Sequence, residues 1–113
     1  MDNQKLTVLW TSGEKDVALK VVLRYIDNAL EKKTWPAIDL IIWGPSVQLA
    51  GDDENVKFKL ESLIQRGLKA EACIVCAEEY GVTEVLEKMG VKLSMVGEEL
   101  THIIQNQQPL LSL

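Results

Sequence analysis

A chain of 113 residues can enclose one hydrophobic core but not two, so a single domain is expected over residues 1–113. Twelve basic against seventeen acidic residues leave a formal charge of -5, which excludes the basic face that nucleic acid requires. The longest apolar runs, such as Val91 to Val96, are strand-sized and interrupted by Lys92, which excludes a membrane span.

Apolar residues at 47% and charged residues at 26% fit a globular protein. The opening MDNQKLTVLW lacks a basic region followed by a signal-type apolar core. Two cysteines in such a chain point to a reducing cytoplasm, where thiols act rather than staple.

Lys5 to Thr11 reads as a buried first strand, rich in β-formers. Thr11-Ser12-Gly13-Glu14 follows as a turn and a capping box, with Glu14 three residues after Thr11. The longest helix is expected over Asp16 to Lys33, with Val17, Val21, Val22, Tyr25, Ile26 and Ala29 at helical spacing. Trp35-Pro36 breaks it, Ile38 to Trp43 is the second strand, and Gly44-Pro45-Ser46 stops that strand because Pro45 has no amide hydrogen.

Ser46 to Gly51 reads as a helical turn or structured loop. Asp53 to Arg66 is the second main helix, started by acidic residues and stopped by Gly67. Val56, Leu60, Leu63 and Ile64 form its core stripe, and Phe58 falls on the opposite side. Leu68, Ala70, Ala72 and Ile74 alternate with Lys69, Glu71 and Cys73, a strand pattern, and a short helix then runs to Tyr80 before Gly81. Thr83 to Met89 is expected as a helix with Thr83 as its N-cap and Gly90 as its stop. Val91 to Val96 is a fourth strand, Gly97 to Asn106 a helix carrying Leu100, Ile103 and Ile104 inward, and Leu110 to Leu113 a last short strand.

Strands thus alternate with helices over short connections, which implies a mostly parallel sheet of about five strands with helices on both faces. In such a sheet all strand C-termini meet at one edge, where these folds hold their ligands. That edge would gather Thr11, Ser12 and Gly13, the segment Trp43, Gly44, Pro45 and Ser46, the cysteines, and Gly97. Each loop alone is explained by turn and capping needs; their convergence on a thiol marks a ligand-binding edge.

Cys73 and Cys76 admit three readings: buried inert thiols, structural in a non-catalytic homo-oligomer that binds a small molecule or anion at this edge, a C-x-x-C redox disulfide, or a nucleophilic Cys73 carrying sulfur as a persulfide with Cys76 accessory. Ile74-Val75 between them suggests that the strand continues past Cys73, which fits a tight redox turn badly. Two cysteines and the lone His102, in a different helix, fall short of a zinc site, and no nucleotide-binding glycine motif occurs, so neither metal nor cofactor is expected.

Leu9-Trp10-Thr11, Ile41-Ile42-Trp43-Gly44-Pro45-Ser46, Glu71-Ala72-Cys73 with Cys76-Ala77, Tyr80-Gly81-Val82, and Gly97 with Leu100-Thr101 together resemble the DsrE/DsrF-like family. That family includes YchN-type proteins and the TusD sulfur-relay subunit. The resemblance implies a three-layer α/β/α fold, a homotrimer or hexamer, and a reactive cysteine just after the third strand. By position that cysteine is Cys73, similar to a persulfide carrier that takes sulfur from a donor protein and passes it to an acceptor. Where relay subunits often show basic residues, this chain has Glu78-Glu79-Tyr80. Carboxylates oppose a thiolate, so activation would rest on a helix N-terminus or on Lys or Arg from another subunit. Phe58 and the three tryptophans, hard to bury fully in so small a domain, add to the expectation of an oligomer.

Overall fold

The computed structural model describes residues 5–113. Met1 to Gln4, part of the expected domain and of the segment read for an export signal, lie outside the described residues. Five strands, β1 (Leu6–Trp10), β2 (Ile38–Ile42), β3 (Lys69–Cys73), β4 (Lys92–Ser94) and β5 (Leu110–Ser112), form one sheet in the order β4-β3-β2-β1-β5. All four pairings are parallel.

That order decides how the layers fill. From β1 to β4 the chain steps in one direction, and right-handed crossovers place all the intervening helices on one face. The last crossover runs back past three strands, which sends its helix to the other face. The first layer therefore holds α1 (Lys15–Val17), a π-helical stretch (Ala18–Val22), α2 (Leu23–Lys32), α3 (Pro45–Asp52), α4 (Glu54–Gln65), α5 (Ile74–Tyr80) and α6 (Thr83–Met89). Their apolar faces close on Leu6, Val8, Trp10, Leu40, Ile42, Ala70 and Ala72 of the sheet. Among the described residues only α7 (Val96–Gln105) covers the opposite face, packing Val96, Leu100 and Ile103 against Ile41 and Cys73. The fold is a three-layer α/β/α sandwich with unequal outer layers.

Several local expectations are corrected. Helix α1 starts at Lys15 without the Thr11–Glu14 capping box; instead Ser12 Oγ accepts the Glu14 amide at 3.1 Å. The π-helical stretch adds a residue to one turn, which shifts the phase and leaves Val21 exposed rather than in the core. Residues Ser46 to Gly51 are no mere turn. They belong to the helix α3, which begins at Pro45, where the missing N–H has no partner to lose and φ is already helical.

Strand β3 stops at Cys73, and Ile74 opens α5, so the strand does not continue through the cysteine pair. Val82, not Thr83, holds the N-cap position of α6. Strand β4 ends at Ser94, and Val96 already belongs to α7. Ile104 is 62% exposed because α7 turns only Val96, Leu100 and Ile103 to the sheet. Trp10 is fully buried despite its size, while Trp35 is half-buried and Trp43 lies 39% exposed.

Candidate functional site

Cys73 is the last residue of β3, with Ser94 of β4 beside it, one residue past the last β2 pair, Ile42 with Ala72. Strand alternation turns Ala70 and Ala72 to the main core and Lys69, Glu71 and Cys73 to the α7 face. Cys73 keeps an extended backbone (φ -62, ψ 120) and serves as the N-cap of α5. Its Sγ accepts the Cys76 amide at 3.4 Å, the place an N-capping oxygen usually takes. Cys76 sits one turn on, half-buried, touching both core clusters. Both thiols are free, and Cys73 retains 8% of its surface.

The two side chains interact. Burial pushes the Cys76 thiol above its ordinary range, the backbone amide of Gly44 pulls it down, and hydrogen bonding and charge from Cys73, with the Glu79 carboxylate, push it up again. The expected opposition from the acidic stretch thus comes from Glu79, and it falls on Cys76.

Gly44 lies in a clasp at the ends of β1 and β2. Ser46, with no exposed surface, donates its hydroxyl to the Trp10 carbonyl at 2.6 Å and accepts the Trp43 amide at 3.2 Å. The Ser46 amide donates to the Thr11 carbonyl at 3.2 Å, and the Trp43 amide to the Trp10 carbonyl at 3.1 Å. Gly44 itself has φ 76 and ψ -143, a conformation that a side chain would strain. Gly13 lies so near Pro45 that a Cβ on it would stand 3.0 Å from the proline Cβ. Trp10 Nε1 donates to the Ser12 carbonyl at 3.0 Å, fixing the same loop.

The expected site residues therefore join in sequence. Cys73 meets Cys76, α5 with Cys76 packs on α3 with Pro45 and Ser46, Pro45 meets Gly13, and Ser46 meets Thr11. The hydroxyl of Ser46 is committed to backbone groups, so its part is to shape the loop. Gly97 stands apart, in the first turn of α7, where its carbonyl accepts the Thr101 hydroxyl at 2.9 Å. Gly13 and Pro45 also line a shallow cavity of about 410 Å³ with Gln48, Leu49, Asp52 and Asp53.

A second hollow of about 390 Å³ lies away from the thiols, on the α7 face, lined by Asp39, Lys69, Glu71, Lys92 and Glu99 among others. Ser94, beside Cys73 in register, donates its hydroxyl to Glu71. Lys5 binds Asp39 at 2.8 Å, and the Asp39 hydrogen bond raises the Lys5 pKa. Burial raises the Glu99 pKa first, and the neighbouring Glu71 adds to it. This polar group was missed in the sequence. Asp39 and Glu71 at alternating strand positions were its only signal, and nothing local pairs them with α7.

Among the described residues no helix is long and apolar enough to cross a membrane, and no three His, Cys, Asp or Glu side chains are grouped to hold a metal ion. No protein-family model matches the chain, and no curated protein does. Among solved structures it is similar to BT1422 of Bacteroides thetaiotaomicron, a conserved protein of unknown function. The two are 33% identical with a TM-score of 0.93, over 98% of this chain and 96% of that one. MTH1491 of Methanobacterium thermoautotrophicum, also of unknown function, shares 10% identity at a TM-score of 0.77, over 99% of this chain and 100% of the other. The ychN protein of E. coli shares 18% identity at a TM-score of 0.71, over 97% and 99%. The last two are similar in fold.

Proposed function

Because the chain belongs to the DsrE/DsrF-like family, we propose that it is a cytoplasmic sulfur carrier in which Cys73 holds sulfane sulfur as a persulfide and passes it to a partner protein. In loading, the Cys73 thiolate attacks the terminal sulfur of a donor persulfide, a new S–S bond forms, and the donor thiolate leaves with the old bonding pair. Delivery repeats the exchange with an acceptor thiolate attacking the outer sulfur.

The observation that carries this reading is the place of Cys73. It ends a central strand at the ligand-holding edge, N-caps α5, and has a backbone amide directed at its sulfur. With only 8% of Cys73 exposed, the site suits a small donor or the protruding sulfur of a partner's persulfide. The Trp43 to Ser46 loop, braced against Thr11, Ser12 and Gly13, would flank the thiol site.

Intact mass after exposure to inorganic polysulfide tests the reading. Gain of one reductant-labile sulfur by the wild type and Cys76→Ser, but not by Cys73→Ser, is expected. Sulfur uptake by Cys73→Ser equal to that of the wild type would sink it.

A thiol–disulfide module is the second reading. It is favoured by the start of α5 directly after Cys73, which removes the geometric objection raised by Ile74-Val75. Homotrimeric or hexameric assembly is part of the proposal. Its support is Phe58, 75% exposed on the outer side of α4, and the single-helix cover of the second sheet face. Light scattering on the purified protein tests it, and a monomer at micromolar concentration would refute it.

A further inference from the structure

We propose that Cys76 is the resolving thiol of this site: it discharges a persulfide on Cys73 by closing a Cys73–Cys76 disulfide and releasing sulfide. The step rests on the carrier reading above. A one-cysteine carrier leaves Cys76 without a task, yet the fold sets it beside the loaded sulfur. Cys73 Sγ lies 3.4 Å from the Cys76 amide nitrogen, two covalent bonds from the Cys76 Cβ. The Cys73 side chain is thus folded onto the residue that carries the second thiol.

Cβ atoms three residues apart on a helix stand about 5–6 Å from each other, against roughly 3.5–4.5 Å in a disulfide. Cys73 is not itself helical: its backbone is extended, and its side chain lies over the first turn of α5, on the Cys76 amide. Side-chain rotation with a small backbone adjustment then closes the bond.

The chemistry balances without an outside oxidant. The Cys76 thiol gives its proton to solvent, and its thiolate attacks Cys73 Sγ, forming the Sγ–Sγ bond. The bond from Cys73 Sγ to the outer sulfur breaks, and that sulfur leaves with the electron pair as hydrosulfide, which takes up a proton from solvent. The sulfane sulfur is reduced to sulfide, and the two cysteine sulfurs are oxidised to the disulfide. A thiol reductant restores the dithiol.

The test loads the full chain anaerobically with inorganic polysulfide, removes the excess, and follows intact mass and free sulfide over time. Wild type, Cys76→Ser and Cys76→Ala are compared, the second variant guarding against misfolding of the first. The wild type is expected to exchange its added sulfur for the loss of two hydrogens, with one equivalent of sulfide, at a rate independent of protein concentration. Both variants should keep the persulfide at least roughly ten-fold longer, because the intramolecular attacker is gone. Equal persulfide lifetimes in the wild type and the variants would overturn the resolving step and leave the carrier reading standing. Migration of the sulfur to Cys76 without sulfide release would also overturn it. Failure of all three proteins to take up sulfur would overturn the carrier reading and this step with it.

Discussion

Replacing Ser46 by alanine tests whether the clasp at the ends of β1 and β2 shapes the thiol site. The Ser46 hydroxyl is fully buried and joins the Trp10 carbonyl, at 2.6 Å, to the Trp43 amide, at 3.2 Å. Removing it does not orphan either backbone group, since the Trp43 amide also donates to the Trp10 carbonyl at 3.1 Å. The loss is therefore a net hydrogen bond and a small void, about 1–2 kcal/mol, rather than the up to roughly 3 kcal/mol of a stranded buried partner. With an unfolding entropy of about 2.1 cal/mol/K per residue, that lowers Tm by roughly 4–8 °C. Urea unfolding at neutral pH, with wild type and Ser46→Ala compared at equal m, reads the difference directly. A change below about 0.5 kcal/mol would refute the clasp, because ordinary surface substitutions reach that size.

Two further predictions concern charges. Asp27 ties α2 to α4 through Lys59 and Arg66, both at 2.6 Å, and these hydrogen bonds lower its pKa. Asp27→Asn should cost roughly 0.5–1 kcal/mol at neutral pH after allowance for solvent screening. That difference should fade as pH falls through the depressed pKa, below about 4, where the wild type also loses the charge; unfolding curves across pH check both. Glu99 has the opposite shift, raised by burial and by Glu71. Its ionisation in the folded state works against stability as pH rises from about 4.3 through the raised value. Glu99→Gln should therefore be at least as stable as the wild type at neutral pH, with the advantage shrinking on acidification. A variant less stable than the wild type at neutral pH would contradict the assignment.

The order of elements and the parallel sheet were legible because strand and helix periods differ and the connections are short. The sheet order was not, since nothing local shows that β5 adds beside β1 rather than beside β4. Nor was α3. Pro45 reads as a breaker after a strand, and the short helix buries Ser46, Val47, Ala50 and Gly51, leaving no clean polar face to reveal it. The break between β3 and α5 was hidden for another reason. Ile74 and Val75 have strand propensity, but packing of α5 on α3 and the N-cap formed by a cysteine sulfur prevail over it. Cys73, Gly44 and Pro45 were legible as candidates, because a Gly-Pro turn and a thiol at strand ends converge in any parallel sheet. The hydrogen bond from Ser94 to Glu71 requires the register of neighbouring strands.

The most direct test of the carrier account is to locate the added sulfur. The wild-type chain is exposed briefly to inorganic polysulfide, its persulfide is trapped by alkylation, and the peptide spanning residues 70–88 is fragmented in a mass spectrometer. The account predicts the extra sulfur on Cys73 in the freshly loaded protein. Sulfur found on Cys76 alone, with Cys73 carrying only an unmodified thiol, would contradict it.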